Sequence, residues 1–231
     1  MPELVIAIDG PSGSGKSTVS RRVASALGLA YLDTGAIYRA ATWWCLEQGV
    51  DLADPQAVLE AVRAMPLEIG LDPEAPSFRV GGTDVTAAIR TPEVTAAVSQ
   101  VSANLEVRAV LRQVQRAAIE AQSGAESFSA GRGIVAEGRD ITTVVAPDAD
   151  VRILLTASEE ARLARRAREV HGSADARAIA ATRDLVVGRD SKDATVTSFL
   201  EAADGVVTID SSDMGLEEVV RTVLDLVASR R

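Results

Sequence analysis

The sequence predicts an α/β fold built on a mostly parallel sheet. Three observations lead there. Short apolar runs alternate with helix-forming stretches, the pattern of buried strands joined by crossover helices. The runs end in polar turns, Asp9-Gly10, Asp33-Thr34 and Glu137-Gly138-Arg139-Asp140. In open parallel sheets, ligands sit beyond those C-terminal strand ends. A glycine-rich loop, GPSGSGKS, follows the first run directly at residues 10–17.

The elements follow in chain order. LVIAI (4–8) is a short continuous apolar run, as expected of a buried strand. Residues 16–27 read as a helix closed by Gly28, AYL (30–32) as a second strand, and 36–48 as a second helix. A third helix spans 55–65, with Pro55 near its start. The texture changes at Pro66. Three prolines and a Gly-Gly turn between extended pieces predict a small antiparallel insertion over 66–90. Thr91-Pro92-Glu93 starts a helix whose pattern continues to about Gln122, and 123–133 reads as a flexible loop. Three further apolar runs are IVAE (134–137), VRILLT (151–156) and GVVTI (205–209). Helices are expected at 158–170, 175–187 and 215–229, the first capped by Ser158 with Glu159 and Glu160 in its first turn.

GPSGSGKS matches the phosphate-binding loop G-x-x-x-x-G-K-[ST] in full, and it lies between a strand and a helix, as that loop requires. Gly10, Pro11, Ser12, Gly13, Ser14 and Gly15 would wrap a polyphosphate with backbone N–H groups, aided by the helix N-terminus. Lys16 would reach the β- and γ-phosphates, Ser17 would take a Mg²⁺ position, and Thr18 would bond the α-phosphate. The loop predicts nucleotide binding and leaves three uses open. A GTPase switch should carry DxxG and NKxD segments, and neither is present; the sole asparagine is Asn104. An ATPase motor should carry a strand ending in a magnesium-binding acid, for which Glu137 is a weak match. A small-molecule kinase needs a second, arginine-rich anionic pocket.

Arginines do fall near the strand ends and on the later helices: Arg39, Arg90, Arg108, Arg139, Arg162, Arg165, Arg166 and Arg189. Arg162 and Arg166 stand at i,i+4 and share a helix face. Apart from Lys16 and Lys192 every basic residue is an arginine, which grips phosphate bidentately.

The segments IDGPSGSGKST, LDTGAIYRA, GTDVTAAIRTPEV, SQVS, EGRDITTVVAPDADVRILLTAS, RLARR and RDSKD run through most of the chain. Together they resemble the bacterial cytidylate kinases of the nucleoside monophosphate kinase superfamily. DTGAIYR and EGRDITTVV are specific to that branch. The resemblance implies a P-loop kinase with a five-stranded parallel sheet, strands near 4–8, 30–33, 134–137, 151–155 and 206–209. It implies one domain over 1–231, with 66–90 as the insertion on the monophosphate side and about 158–200 as a helical lid. The activity implied is phosphoryl transfer from ATP, with Mg²⁺, to CMP or dCMP.

Residue roles follow from the resemblance. Arg39 and Arg139 would clamp the acceptor phosphate. Ser99, Arg108 and Asp140 would read the cytosine edge, and Arg189 and Asp193 would bind the ribose. Arg162 would lie along the adenine, and Arg166 would meet the transferring phosphoryl group. Lys16, Arg39, Arg139 and Arg166 are therefore the expected catalytic cations. Cytosine offers an N4 donor that a carboxylate accepts, whereas uracil would set O4 against the Asp140 carboxylate. The acceptor phosphate is already an anion, so Asp140 is expected to read the base and not to take a proton. Thr34 and Tyr38 would line the acceptor pocket. Asp33-Thr34-Gly35 also spells the aspartic-protease triplet, but that chemistry needs two facing carboxylates and the triplet occurs once. Asp33 is then expected to shape its turn and to order Mg²⁺-bound water, and it counts among the expected substrate-binding residues with Thr34 and Tyr38.

The chain departs from the family in two places. Ala194 and Val196 stand where relatives usually continue RDxxD with Ser and Arg, so Lys192 could stand in. Reading Asp190-Ser191 as the family's Asp-Ser pair would move the ribose role to Asp190. The loop 123–133 is longer than the family needs.

Composition narrows the partners. A formal charge of −9 argues against broad nucleic-acid or membrane binding. The apolar runs are too short to cross a bilayer, and MPELVIAIDG lacks the basic start of a signal peptide. One cysteine, Cys45, excludes an internal disulfide and suits a reducing cytoplasm; one histidine, His171, disfavours a histidine-based triad. The family resemblance implies a monomer. A kinase of another acceptor such as UMP, or a slowly hydrolysing nucleotide switch, is the remaining alternative.

Overall fold

The computed structural model describes residues 2–194, 197 and 199–230. The side chains of Asp184, Leu185, Arg189, Lys192 and Asp193 lie outside the described set. The expectations for Arg189, Asp193, Lys192 and Val196 therefore lie outside the described residues. In chain order the elements are β1 (Val5–Asp9), α1 (Lys16–Leu27), β2 (Ala30–Asp33), α2 (Thr34–Glu47), α3 (Pro55–Ala64), β3 (Leu67–Gly70), β4 (Ser77–Val80) and β5 (Thr83–Asp84). They continue as α4 (Pro92–Ala103), α5 (Leu105–Glu120), β6 (Ile134–Gly138), β7 (Val151–Thr156), α6 (Glu159–His171), α7 (Ala176–Arg183), α8 (Arg189–Ala194), β8 (Val207–Asp210) and α9 (Leu216–Arg230).

The main sheet has five strands in the order β2-β6-β1-β7-β8, with β1 parallel to β7 and β7 parallel to β8. The expected α/β class and strand count hold. A second sheet, β3-β4-β5, is antiparallel, with Leu67 opposite Val80 and Gly70 opposite Ser77. It is the insertion read from the prolines and the Gly-Gly turn.

The chain divides into two compact units: Met1–Glu3 with Gly28–Ile134, and Leu4–Leu27 with Val135–Arg231. In the first, β4 alternates as a half-buried strand should, with Phe78 and Val80 inside and Arg79 out. α5 turns Val107, Leu111, Gln115 and Ile119 inward at four-residue spacing. In the second, every residue of β1 is buried, and α9 buries Val219, Val223 and Val227. Each fully buried Val, Leu or Ile contributes about 1.5–3 kcal/mol.

Two expected helices are interrupted. The stretch from 91 to about 122 breaks at Asn104, which ends α4 and caps α5. Its side chain accepts from Glu106 N (3.0 Å) and Val107 N (3.2 Å). Asparagine competes poorly inside a helix and well at its start. The helix expected over 175–187 stops at Arg183 and passes through a wider π-type turn at Asp184–Gly188 before α8. The loop 123–133 is held by its own serines. Gln122 Oε1 accepts from Ser129 N (3.3 Å), and Ser129 Oγ accepts from Gly133 N (3.1 Å). Residues that suggested a flexible connection instead cap its turns. Among the described residues no helix is long and apolar enough to cross a membrane.

Candidate active site

The phosphate loop lies in the second unit, between β1 and α1. Gly13 (φ +78°) and Gly15 (φ +89°) adopt left-handed backbone that lets successive N–H groups turn inward. A side chain at Gly13 would also strike the backbone of Arg162, at 2.7 Å from its carbonyl. The Ser14 hydroxyl is buried without a hydrogen-bond partner among the described residues. Lys16 Nζ donates to Pro11 O at 3.3 Å, arching back over the loop. Ser17 Oγ donates to Glu137 Oε1 at 2.5 Å, and Glu137 is buried at the end of β6. Strand end and helix start thus bring two hard oxygen donors together.

Asp9 serves a role that the sequence did not disclose. Its carboxylate accepts from Ile141 N (2.9 Å), Thr142 N (2.8 Å) and Thr142 Oγ1 (2.6 Å). These bonds pin a π-type turn at Ile141–Val145 directly after Arg139 and Asp140. Burial raises the Asp9 pKa above its ordinary value, and the three hydrogen bonds oppose that rise. Asp140 is itself buried, and its carbonyl accepts from Val144 N and Val145 N.

α6 brings two arginines to the loop. Arg162 Nη1 donates to Ser12 O (2.9 Å) and pairs with Asp190 Oδ2. Arg165 Nη1 donates to Ser14 O (3.3 Å) and to Ser211 Oγ (2.9 Å). Arg166 instead pairs with Glu169 at 2.7 Å, one turn along the same helix. Arg139 Nη2 pairs with Asp190 Oδ1 at 3.2 Å, and its guanidinium lies 5.1 Å from the centre of the Phe199 ring.

The first unit carries a separate polar cluster. Asp33 caps α2, accepting from Ala36 N at 2.9 Å, and its other oxygen takes Arg90 Nη2 at 3.0 Å. The expectation that Asp33 shapes its turn is met. Arg39 is 7% exposed, and its Nη1 donates to Thr95 Oγ1 (2.9 Å) and Ile89 O (3.3 Å). Thr95 and Ser99 stand at i,i+4 on α4 and so share a face. Arg108 is buried, donates to Ser102 O at 3.3 Å, and stacks over Tyr38 at 5.5 Å. Thr34 is buried at the first position of α2. Arginines, hydroxyls and an aromatic face suit a phosphorylated, planar ligand.

The cytidylate kinase family model matches residues 6–229. The chain belongs to the cytidylate kinase family. A cytidylate kinase from Streptomyces avermitilis is 48% identical over 232 residues, covering 100% of this chain and 95% of that protein. One from Streptomyces coelicolor is also 48% identical, over 100% and 95%. One from Rhodococcus opacus is 46% identical, over 98% and 96%.

Of the residues the resemblance assigns to the site, Lys16, Ser17, Arg139, Asp140 and Arg162 lie in one unit, and Asp33, Thr34, Tyr38, Arg39, Ser99 and Arg108 in the other. Arg166 makes no described contact with the loop; Arg165 does. Four residues escaped the sequence reading as site members: Asp9, Thr95, Arg165 and, as an ion-pair centre, Asp190. Arg165 and Asp190 had a usable signal in the RLARR and RDSKD segments, and Asp9 had one in its place at the polar end of a strand.

Proposed function

We propose that the chain transfers the γ-phosphoryl group of ATP to CMP or dCMP, giving ADP and CDP or dCDP. The reading is supported by family membership across nearly the whole chain, together with a complete phosphate loop. The loop N–H groups, Lys16 and Thr18 bind the donor phosphates. Ser17 and Glu137 would hold Mg²⁺, because their oxygens are the donor type it takes. When bound, Mg²⁺ would neutralise charge on the β- and γ-phosphates.

Arg39 and Arg139 bind the acceptor phosphate as bidentate cations. Phosphoryl transfer needs in-line placement and cations around the equatorial oxygens, not a protein nucleophile. Ser99 and Arg108 donate to the cytosine edge, and Asp140 accepts from N4. Arg162 serves the donor nucleotide, and Arg166 serves the transferring group. Arg165 is an alternative to Arg166, favoured by its contacts with Ser14 and Ser211. Arg189 and Asp193 bind the ribose. The lid over about 158–200 closes over ATP and excludes water. We place the enzyme in the cytoplasm as a monomer; the single buried thiol Cys45 suits a reducing compartment.

The test is ADP release with ATP against CMP, dCMP, UMP, AMP and dTMP. CMP and dCMP should stimulate it most. Release that ignores every acceptor would sink the kinase reading. Asp140→Asn should relax the preference for CMP over UMP more than it weakens ATP binding. An unchanged preference removes Asp140 as the base reader.

A further inference from the structure

Asp190 joins three groups that the proposed function assigns to the two nucleotides: the phosphate loop, Arg139 on the acceptor phosphate and Arg162 on the donor nucleotide. Its Oδ1 accepts the Ser12 backbone N–H of the phosphate loop at 3.0 Å and takes Arg139 Nη2 at 3.2 Å; its Oδ2 takes Arg162 Nη1. All three side chains are largely buried: Asp190 is 7% exposed, Arg162 11% and Arg139 13%. Phe199 lies against the Arg139 guanidinium at 5.1 Å, so a carboxylate holds one edge of that cation while an aromatic ring holds a face. An arginine is useful to a phosphate only when its planar fork points the right way. Here one carboxylate fixes two forks and the loop tip together.

We propose that Asp190 is the positioning residue that aims Arg139 at the acceptor phosphate and Arg162 at the donor nucleotide, with its carboxylate tied to the loop through Ser12. The proposal rests on the roles given above to those two arginines. Asp190 itself need touch neither nucleotide, since both its oxygens are already engaged. Its charge also matters. With Asp190 ionised, the trio carries a net +1; without it, two buried guanidinium groups are left to repel each other. An amide in its place would accept through one oxygen and turn an NH₂ group toward N–H donors.

The expected signature separates kcat from KM. Misplacing a catalytic group by about 1 Å costs on the order of 10²-fold in rate. Asp190→Asn should therefore lower kcat about 100-fold in CMP-dependent ADP release. KM for CMP and for ATP should not rise, because the cluster becomes more positive toward two polyanions. Asp190→Glu keeps the charge but is one methylene longer, and should lower kcat about 10-fold with both KM values kept. Rates are normalised to the folded fraction, read from near-UV circular dichroism. If Asp190→Asn fails to fold, the Glu variant decides. Variants within twofold of wild-type kcat, or variants whose KM rises as kcat falls, overturn the proposal. Wild-type release of ADP regardless of CMP would instead overturn the kinase reading beneath it.

Discussion

Thr95 offers a direct test of how the acceptor side works. Its hydroxyl accepts from Arg39 Nη1 at 2.9 Å, and the same nitrogen reaches Ile89 O only at 3.3 Å. Thr95→Val keeps the branched shape and removes the acceptor. A hydrogen bond to a charged group contributes about 1.5–3 kcal/mol, and the retained Ile89 contact argues for the lower end. About 1.5 kcal/mol corresponds to roughly tenfold in rate. The variant should lose about tenfold in kcat/KM for CMP while KM for ATP stays put. A domain of this size loses about 2–4 °C of melting temperature per kcal/mol, so the melt should fall by about 3–6 °C. The assay is coupled ADP release with CMP varied at saturating ATP, then the reverse, alongside a thermal melt. A CMP kcat/KM within twofold of wild type would show that Thr95 does not aim Arg39. Equal losses for both nucleotides would show general damage.

Other outcomes follow from single contacts. Glu137→Gln weakens the oxygen pair with Ser17, so a Mg²⁺ titration of activity should shift to higher concentration by about 10-fold; a superimposable titration would remove Glu137 from the metal site. Asp9→Asn turns an NH₂ group toward one of the donors from Ile141 and Thr142, and should cost about 1–3 kcal/mol in urea unfolding. Unchanged unfolding would mean the carboxylate does not pin the turn. Burial pushes the Cys45 thiol up to about 11 from an ordinary 9.0. The folded state therefore favours the protonated thiol, and that contribution is intact below pH 9 and lost as pH rises toward 11. Wild type should lose more melting temperature than Cys45→Ser between pH 8 and pH 10.5, and equal losses would contradict the buried-thiol account.

The parts of the fold that were legible are those where local chemistry leaves one solution. α1 was expected at 16–27 and occupies Lys16–Leu27, because the glycines, the lysine and Gly28 bracket it. The insertion was legible from its prolines and paired glycines. The break at Asn104 was hidden because helical periodicity continues on both sides, and only a side chain folding back on Glu106 and Val107 reveals the cap. The π-type turn after Asp140 was hidden because Asp9, more than a hundred residues away in sequence, holds it. On α6, four-residue spacing singled out Arg162 and Arg166. With 3.6 residues per turn, i+3 is equally a neighbour, and the contacts with the loop fall to Arg162 and Arg165. Thr95 carried no motif at all; an ordinary helical threonine becomes informative only when an arginine is found on it.

The junction at Asn104 sets a limit on how this chain can drift in length. One residue ends the helix that carries Thr95 and Ser99 and begins the helix that carries Arg108, while its amide also reaches Pro55 O at 2.9 Å. Each residue advances a helix by about 100°. An insertion or deletion of a single residue just after Asn104 would therefore swing Arg108 about a quarter-turn around its axis and off the Tyr38 ring. Surface connections elsewhere can lengthen at little cost, but this joint works as a phase lock between two helices.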